Sequence, residues 1–171
     1  FRKQDAKNLE KLRLARERQA TRDSLADASG IHDDAILNLL VEHKIDATTL
    51  AAFALVPLVE VAWADGKLDT RERDAVLNGA TDQGIKAGSM AYNLLLNWLD
   101  SPSAPSLLRG WVDYTRTLCS KMDAKQRSRL RKEVLGRAEQ VAEAAGGFLG
   151  LGSTSAEEKE VLRLLEGAFE D

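Results

Sequence analysis

Cysteine is all but missing from this chain. Cys119 stands alone among 171 residues, so no internal disulfide can staple the fold, and with two histidines it cannot complete a closed Cys/His zinc site. A hydrophobic core must hold the protein together instead, and a hydrophobic content of 44% at this length is enough to build one. Proline is scarce, with three residues, and runs of alternating Val, Ile and Thr are absent, which argues against a β-sandwich or barrel. Long apolar runs are lacking as well. The most apolar stretch, Leu50 to Ala64, is shorter than a bilayer span and carries Glu60. With no signal-peptide pattern, the expected compartment is a reducing cytoplasm. A net charge of −3 supplies no global attraction to nucleic acid or to an anionic membrane, so any basic site must be local. No Ser or Cys stands at a recognisable spacing from His32 or His43, which leaves nucleophilic catalysis without support and points to a protein that is not an enzyme.

What is present is helical periodicity. Leu, Val and Ala recur at i, i+3 and i+4 through most of the chain, predicting an all-α protein. The expected organisation is a charged N-terminal helical arm over residues 1–28 and one compact helical domain of about seven helices over 29–171, with internal pseudo-duplication. The arm has too few large apolar residues for a core face, so it is expected to dock on a protein partner or a second copy. Asp46 to Ala64 reads as a central helix, apolar nearly all round and kinked at Pro57. Thr70 to Asp82 and Met90 to Leu99 follow, then a loop before Pro105 and a helix ending near Met122. Asp123 with Gln126 caps a long helix reaching Ala145, and Ala156 to Phe169 is the last. Trp63, Trp98 and Trp111 fall on apolar helical faces and are expected in the core. The glycine-rich loop Gly146 to Ser153 lacks the strand and the Gly-Lys-Ser/Thr ending of a phosphate-binding loop, so it reads as a connector tucking Phe148, Leu149 and Leu151 inward.

The turn Ala64-Asp65-Gly66-Lys67-Leu68-Asp69-Thr70-Arg71-Glu72 concentrates the chemistry. Gly66 suits a left-handed helix cap, and Asp69 with Glu72 forms a capping box. The same letters match the second half of an EF-hand loop, but Val61 and Trp63 stand where the first half needs acids. What remains is an oxygen-only cluster of Asp65, Asp69 and Glu72, suited to a hard divalent cation such as calcium, magnesium or manganese. The grammar of glycine, capping residue and Glu returns at Gly152 to Glu158, with Leu151 in place of the aspartate.

Val61-Ala-Trp-Ala-Asp-Gly-Lys-Leu-Asp-Thr-Arg-Glu-Arg-Asp-Ala-Val-Leu77 resembles the helix-turn-helix signature of the TerB-like family, known from tellurite resistance and from a DnaJ-type co-chaperone. Ser155 to Leu162 resembles its second copy. The resemblance implies an all-helical duplicated domain, divalent-metal binding on an acidic surface, and a stress-response role in complexes peripheral to the membrane. Carried over, it marks Asp65 and Glu72 in the first copy and Glu158 in the second, giving Asp65, Asp69, Glu72 and Glu158 as the candidate metal set. Lys121, Lys125, Arg129 and Lys132 form a basic helical stripe, the candidate surface for an acidic protein or nucleic acid. Glu133, Glu139 and Glu143 dilute it and no aromatic residue is interleaved, which favours a solvated face. The leading expectation is thus a non-enzymatic TerB-like binding module. An adaptor working through the basic helix 121–132 and a hydrolase using the acidic turn are the alternatives.

Overall fold

A computed structural model describes residues 2–146 and 154–170. Among the described residues there are nine helices and no strand: α1 (Arg2–Ser29), α2 (Asp34–Glu42), α3 (Leu50–Phe53), α4 (Val56–Ala62), α5 (Thr70–Asp82), α6 (Met90–Asp100), α7 (Pro105–Ser120), α8 (Ala124–Gly146) and α9 (Ala156–Gly167). The all-α expectation holds. Internal packing groups residues 1–50 and 51–171 as two units. No helix among the described residues is long and apolar enough to cross a membrane. The expected inward packing of Phe148, Leu149 and Leu151 concerns residues outside the described set.

In the first unit, residues 2–20 of α1 are exposed, and its C-terminal end, with Leu25 and Ala26 buried, packs against α2. Arg22 reaches Asp34 across that contact. Asp33 caps α2, its side chain accepting from the Ile36 N–H at 3.0 Å. At the other end of α2 the chain reverses on Lys44, which holds φ at +62°. The Ile45 N–H closes the turn by bonding the Leu40 carbonyl at 2.9 Å, and Ile45 is buried beneath it.

In the second unit, α4 is the centre. Val56, Pro57, Leu58, Val59, Val61 and Ala62 are all buried, because α5, α7, α8 and α9 each pack against this one helix. Its one charged side chain, Glu60, accepts a hydrogen bond from the Ser103 hydroxyl, and burial pushes its carboxyl above the ordinary value. Gly79 on α5 lets that helix come close, since a Cβ there would lie 2.9 Å from Leu58 Cδ2. Phe53 meets Tyr114 edge-on at 5.3 Å, and Trp111 meets Phe169 at 6.2 Å, tying the middle of α7 into the unit.

Pro57 does more than kink the central helix: it divides it. Residues 54 and 55 form a turn between α3 and α4, and the proline sits in the first turn of α4. There its missing N–H is no loss, whereas inside one continuous helix its ring would crowd the Phe53 carbonyl. The N-terminal start also moves. The Asp46 carboxylate takes the Thr48 and Thr49 N–H groups at 2.8 and 3.0 Å in a turn of its own, and helix begins only at Leu50.

Folding also brings out a second duplication. Asp34, Ala35, Leu37, Asn38, Ile45, Ala47 and Ala51 recur forty positions on as Asp74, Ala75, Leu77, Asn78, Ile85, Ala87 and Ala91. Each copy is a helix, a left-handed turn and a second helix. Gly84, at φ +79°, stands where the first copy has Lys44, and the Ile85 N–H bonds the Ala80 carbonyl at 3.0 Å as Ile45 bonds Leu40. A left-handed conformation costs a non-glycine residue about 1–2 kcal/mol, part of which glycine returns as unfolded-chain entropy. Lys44 is exposed, so its side chain contributes no burial. Lys44→Gly is therefore expected to stabilise the protein by about 0.5–1 kcal/mol in chemical denaturation. A loss of stability would show that the lysine side chain is held in place.

Candidate functional site

The acidic turn leaves α4 at Trp63 and enters α5 at Asp69. Gly66 takes φ +82°, and its N–H bonds the Trp63 carbonyl at 2.8 Å, so the chain reverses in four residues. Both flanks of the turn are fastened to the end of α6. The Trp63 indole N–H donates to the Trp98 carbonyl at 2.9 Å, and Arg73 donates to the Leu99 carbonyl at 3.2 Å and to Asp100 at 3.1 Å. These bonds serve carbonyls that a helix C-terminus leaves unpaired, and the guanidinium suits its negative end. Trp63 and Trp98 are accordingly half-buried, while Trp111 is buried as expected.

Each candidate carboxylate has a local partner. Asp65 accepts from the Lys67 N–H at 2.9 Å and Asp69 from the Arg71 N–H at 2.6 Å. Glu72 Oε2 accepts from the Asp69 N–H at 2.9 Å, completing the reciprocal capping box. Ser155 and Glu158 form the same box on α9, Glu158 Oε2 taking the Ser155 N–H at 2.6 Å while the Ser155 hydroxyl takes the Glu158 N–H at 3.1 Å. Asp65 and Asp69 are exposed, whereas Glu72 and Glu158 are 4% and 7% exposed, the only buried carboxylates among the described residues.

Burial, joined by the charges of Glu158, Asp65 and Asp69, pushes the Glu72 carboxyl up to about 7, against the opposing pull of the Asp69 N–H. The fold thus brings the two capping glutamates within electrostatic reach, with Asp65 and Asp69 beside them. A hard cation would find the right donor chemistry here, since each cap uses Oε2 and leaves Oε1 outside the bond. The geometry is that of caps. Among the described residues, no three His, Cys, Asp or Glu side chains are gathered as a ligand set, so Asp65 and Asp69 would have to turn away from their own loop to join one.

The basic stripe lies apart on α8 and the turn before it. Lys121, Lys125, Arg129 and Lys132 are all exposed, and Arg129 pairs with Glu133 one helical turn on at 3.4 Å. Arg131, beside the stripe, crosses instead to Glu166 on α9. His32 and His43 lie in the first unit, away in sequence from either set. Comparison with protein-family models, with curated proteins and with solved structures finds no match to this chain.

The raised Glu72 carboxyl has a definite sign in stability. An unfolded glutamate titrates near about 4.3, so between there and about 7 the folded chain holds a proton that the unfolded chain releases. Stability from this group is therefore full below the unfolded value and falls as pH rises through the folded one. Asp46, held below the ordinary value chiefly by the Thr48 hydroxyl, acts in the opposite sense. The clean comparison is with Glu72→Gln, whose amide oxygen still caps the Asp69 N–H. Its melting point should match wild type near about pH 4 and exceed it increasingly up to about pH 8. A difference that stays constant with pH would mean that burial and neighbouring charge do not raise the Glu72 carboxyl in the folded protein.

Proposed function

We propose that this chain is a non-enzymatic binding module of the TerB-like kind, whose acidic turn takes a divalent cation with Glu158 supplied from the second capping box. The observation that supports the reading is the convergence of two buried glutamates from separate helix starts, flanked by Asp65 and Asp69. Such a cluster repels itself when empty and is relieved by a hard cation. Binding would draw Asp65 and Asp69 off the Lys67 and Arg71 N–H groups while the glutamates keep their caps through Oε2. Calcium, magnesium or manganese would serve, and a role in stress-linked assemblies follows from the resemblance alone. No specific observation favours the hydrolase alternative, and the basic stripe has no interleaved aromatic residue to stack a base.

A ligand at a hundred times its dissociation constant stabilises by about 2.7 kcal/mol, and each kcal/mol moves the melting point of a chain this size by roughly 2–4 °C. Saturating calcium, magnesium or manganese should thus raise the wild-type melting point by about 5–10 °C. Asp65→Asn with Glu72→Gln should abolish the response without lowering the metal-free melting point. If no cation moves the wild-type curve, the turn is a structural cap and this reading fails.

The module's partner contact is assigned to the exposed part of α1. Residues 2–20 stand clear, with Leu9 and Leu12 at 68% and 57% exposure, and an isolated helix of that length is marginal in water without a surface to order it. A variant beginning at Thr21 keeps the buried Leu25 and Ala26. It should unfold at the same temperature as the full chain yet lose self-association or partner capture, measured by light scattering and pull-down. Unchanged mass and unchanged partners would remove the arm from the interface.

A further inference from the structure

A different surface, independent of the acidic turn, has the shape and charge of a peptide-docking groove. Between α7 and α9 runs a depression of about 410 Å³ floored by Leu108, Val112 and Leu164 and rimmed by Arg109, Arg116 and Arg163. Leu164 is 50% exposed, although it lies on a helix whose next residue, Leu165, is fully buried. Val112 follows Leu108 by one helical turn, so the two line one side of the floor while Leu164 lines the other. All three arginines are exposed, and Asp113 is the single acid in the lining. Arg116 is steadied by the Gly167 carbonyl at 3.2 Å, and among the described residues Arg163 meets the exposed Glu160 on its own helix at 3.0 Å. A cationic rim above an apolar floor, on a protein of net charge −3, is built for one kind of occupant.

We infer that the α7–α9 groove docks an acidic amphipathic helix of a partner protein, with leucine-class side chains on Leu108, Val112 and Leu164 and carboxylates on Arg109, Arg116 and Arg163. Helix-in-groove recognition uses apolar anchors at i, i+3 and i+4, and arginine pairs carboxylates in a two-pronged geometry that lysine does not offer. Charge excludes the arm of a second copy. The exposed leucines of α1 sit among Lys7, Lys11, Arg13, Arg16 and Arg18, which outnumber Asp5, Glu10 and Glu17, so that helix would bring like charge to the arginine rim. Nucleic acid would leave the leucine floor unused, and no aromatic side chain lines the groove to stack a base. The neighbouring depression between α8 and α9 is less suited, because Glu139 and Glu166 enter its lining and Arg131 is already taken by Glu166.

The test uses the full chain and three fluorescent peptides of about sixteen residues, long enough for several helical turns. One carries leucines along one helical face and glutamates elsewhere, the second scrambles that composition, and the third replaces glutamate by lysine. Fluorescence anisotropy should show saturable binding of the first peptide, tighter than the scrambled one by about tenfold or more. Leu164→Ser should weaken it by about tenfold, and Arg109→Glu with Arg163→Glu should abolish it while creating affinity for the lysine peptide. These residues are exposed, and unchanged circular-dichroism melts would verify that the variants remain folded. Equal binding of the ordered and scrambled peptides, or indifference to Leu164→Ser, would reduce the surface to plain electrostatics and overturn the inference. So would a wild-type dimer in light scattering that Leu164→Ser converts to monomer, since the occupant would then be a second copy. Absence of binding by the ordered peptide at low salt would overturn it as well.

Discussion

The second unit depends on hiding one short helix. The seven residues of α4 expose almost no polar face, so the helix is stable only when enclosed, and α5, α7, α8 and α9 supply the enclosure. Burial of six side chains at roughly 1.5–3 kcal/mol for each larger one is the main favourable term available to a chain with no disulfide. Enclosure has a local cost. Whatever follows α4 must turn sharply enough to send α5 back along it, and the left-handed Gly66 and the Asp69–Glu72 box make that reversal. The acidic turn is thus a consequence of the core before it is anything else.

This ordering explains why capping carboxylates come to be buried. A capping glutamate normally sits at a helix surface, where its charge is solvated and favoured by the helix dipole. Here α9 starts near α5, and both capping glutamates are covered. For Glu72 burial outweighs the relief that the Asp69 N–H supplies, and the charges of Glu158, Asp65 and Asp69 add to it. The acidic turn draws its electrostatics from burial and gathered charge, whereas the groove between α7 and α9 owes its character to shape and an arginine rim. The two are independent.

Local rules were readable wherever one side chain answers to its own backbone. The bounds of α5, the caps at Asp69, Asp123 and Ser155, and the left-handed Gly66 all follow from letters within four positions. Pro57 was harder, because whether a proline kinks or divides a helix depends on what the turn before it can pack against. The forty-residue duplication is faint in the sequence because its matches are scattered and Gly84 stands where the first copy has Lys44, so it emerges only when the chain is aligned with itself at an offset of forty. The nearness of Glu158 that raises the Glu72 carboxyl, and the arginine rim around Leu164, depend on how α9 lies against other helices, which no local pattern encodes.

The bonds from Trp63 and Arg73 to the last carbonyls of α6 carry one further consequence. They bracket the acidic turn, so a rearrangement of that turn cannot be silent at Trp63: its half-buried indole is tethered by the N–H that governs how the ring's excited state relaxes against its surroundings. The protein therefore contains its own optical gauge. A change at Asp65 or Asp69 that disturbs this tether is expected to alter the contribution of Trp63 to tryptophan emission, beside those of Trp98 and Trp111.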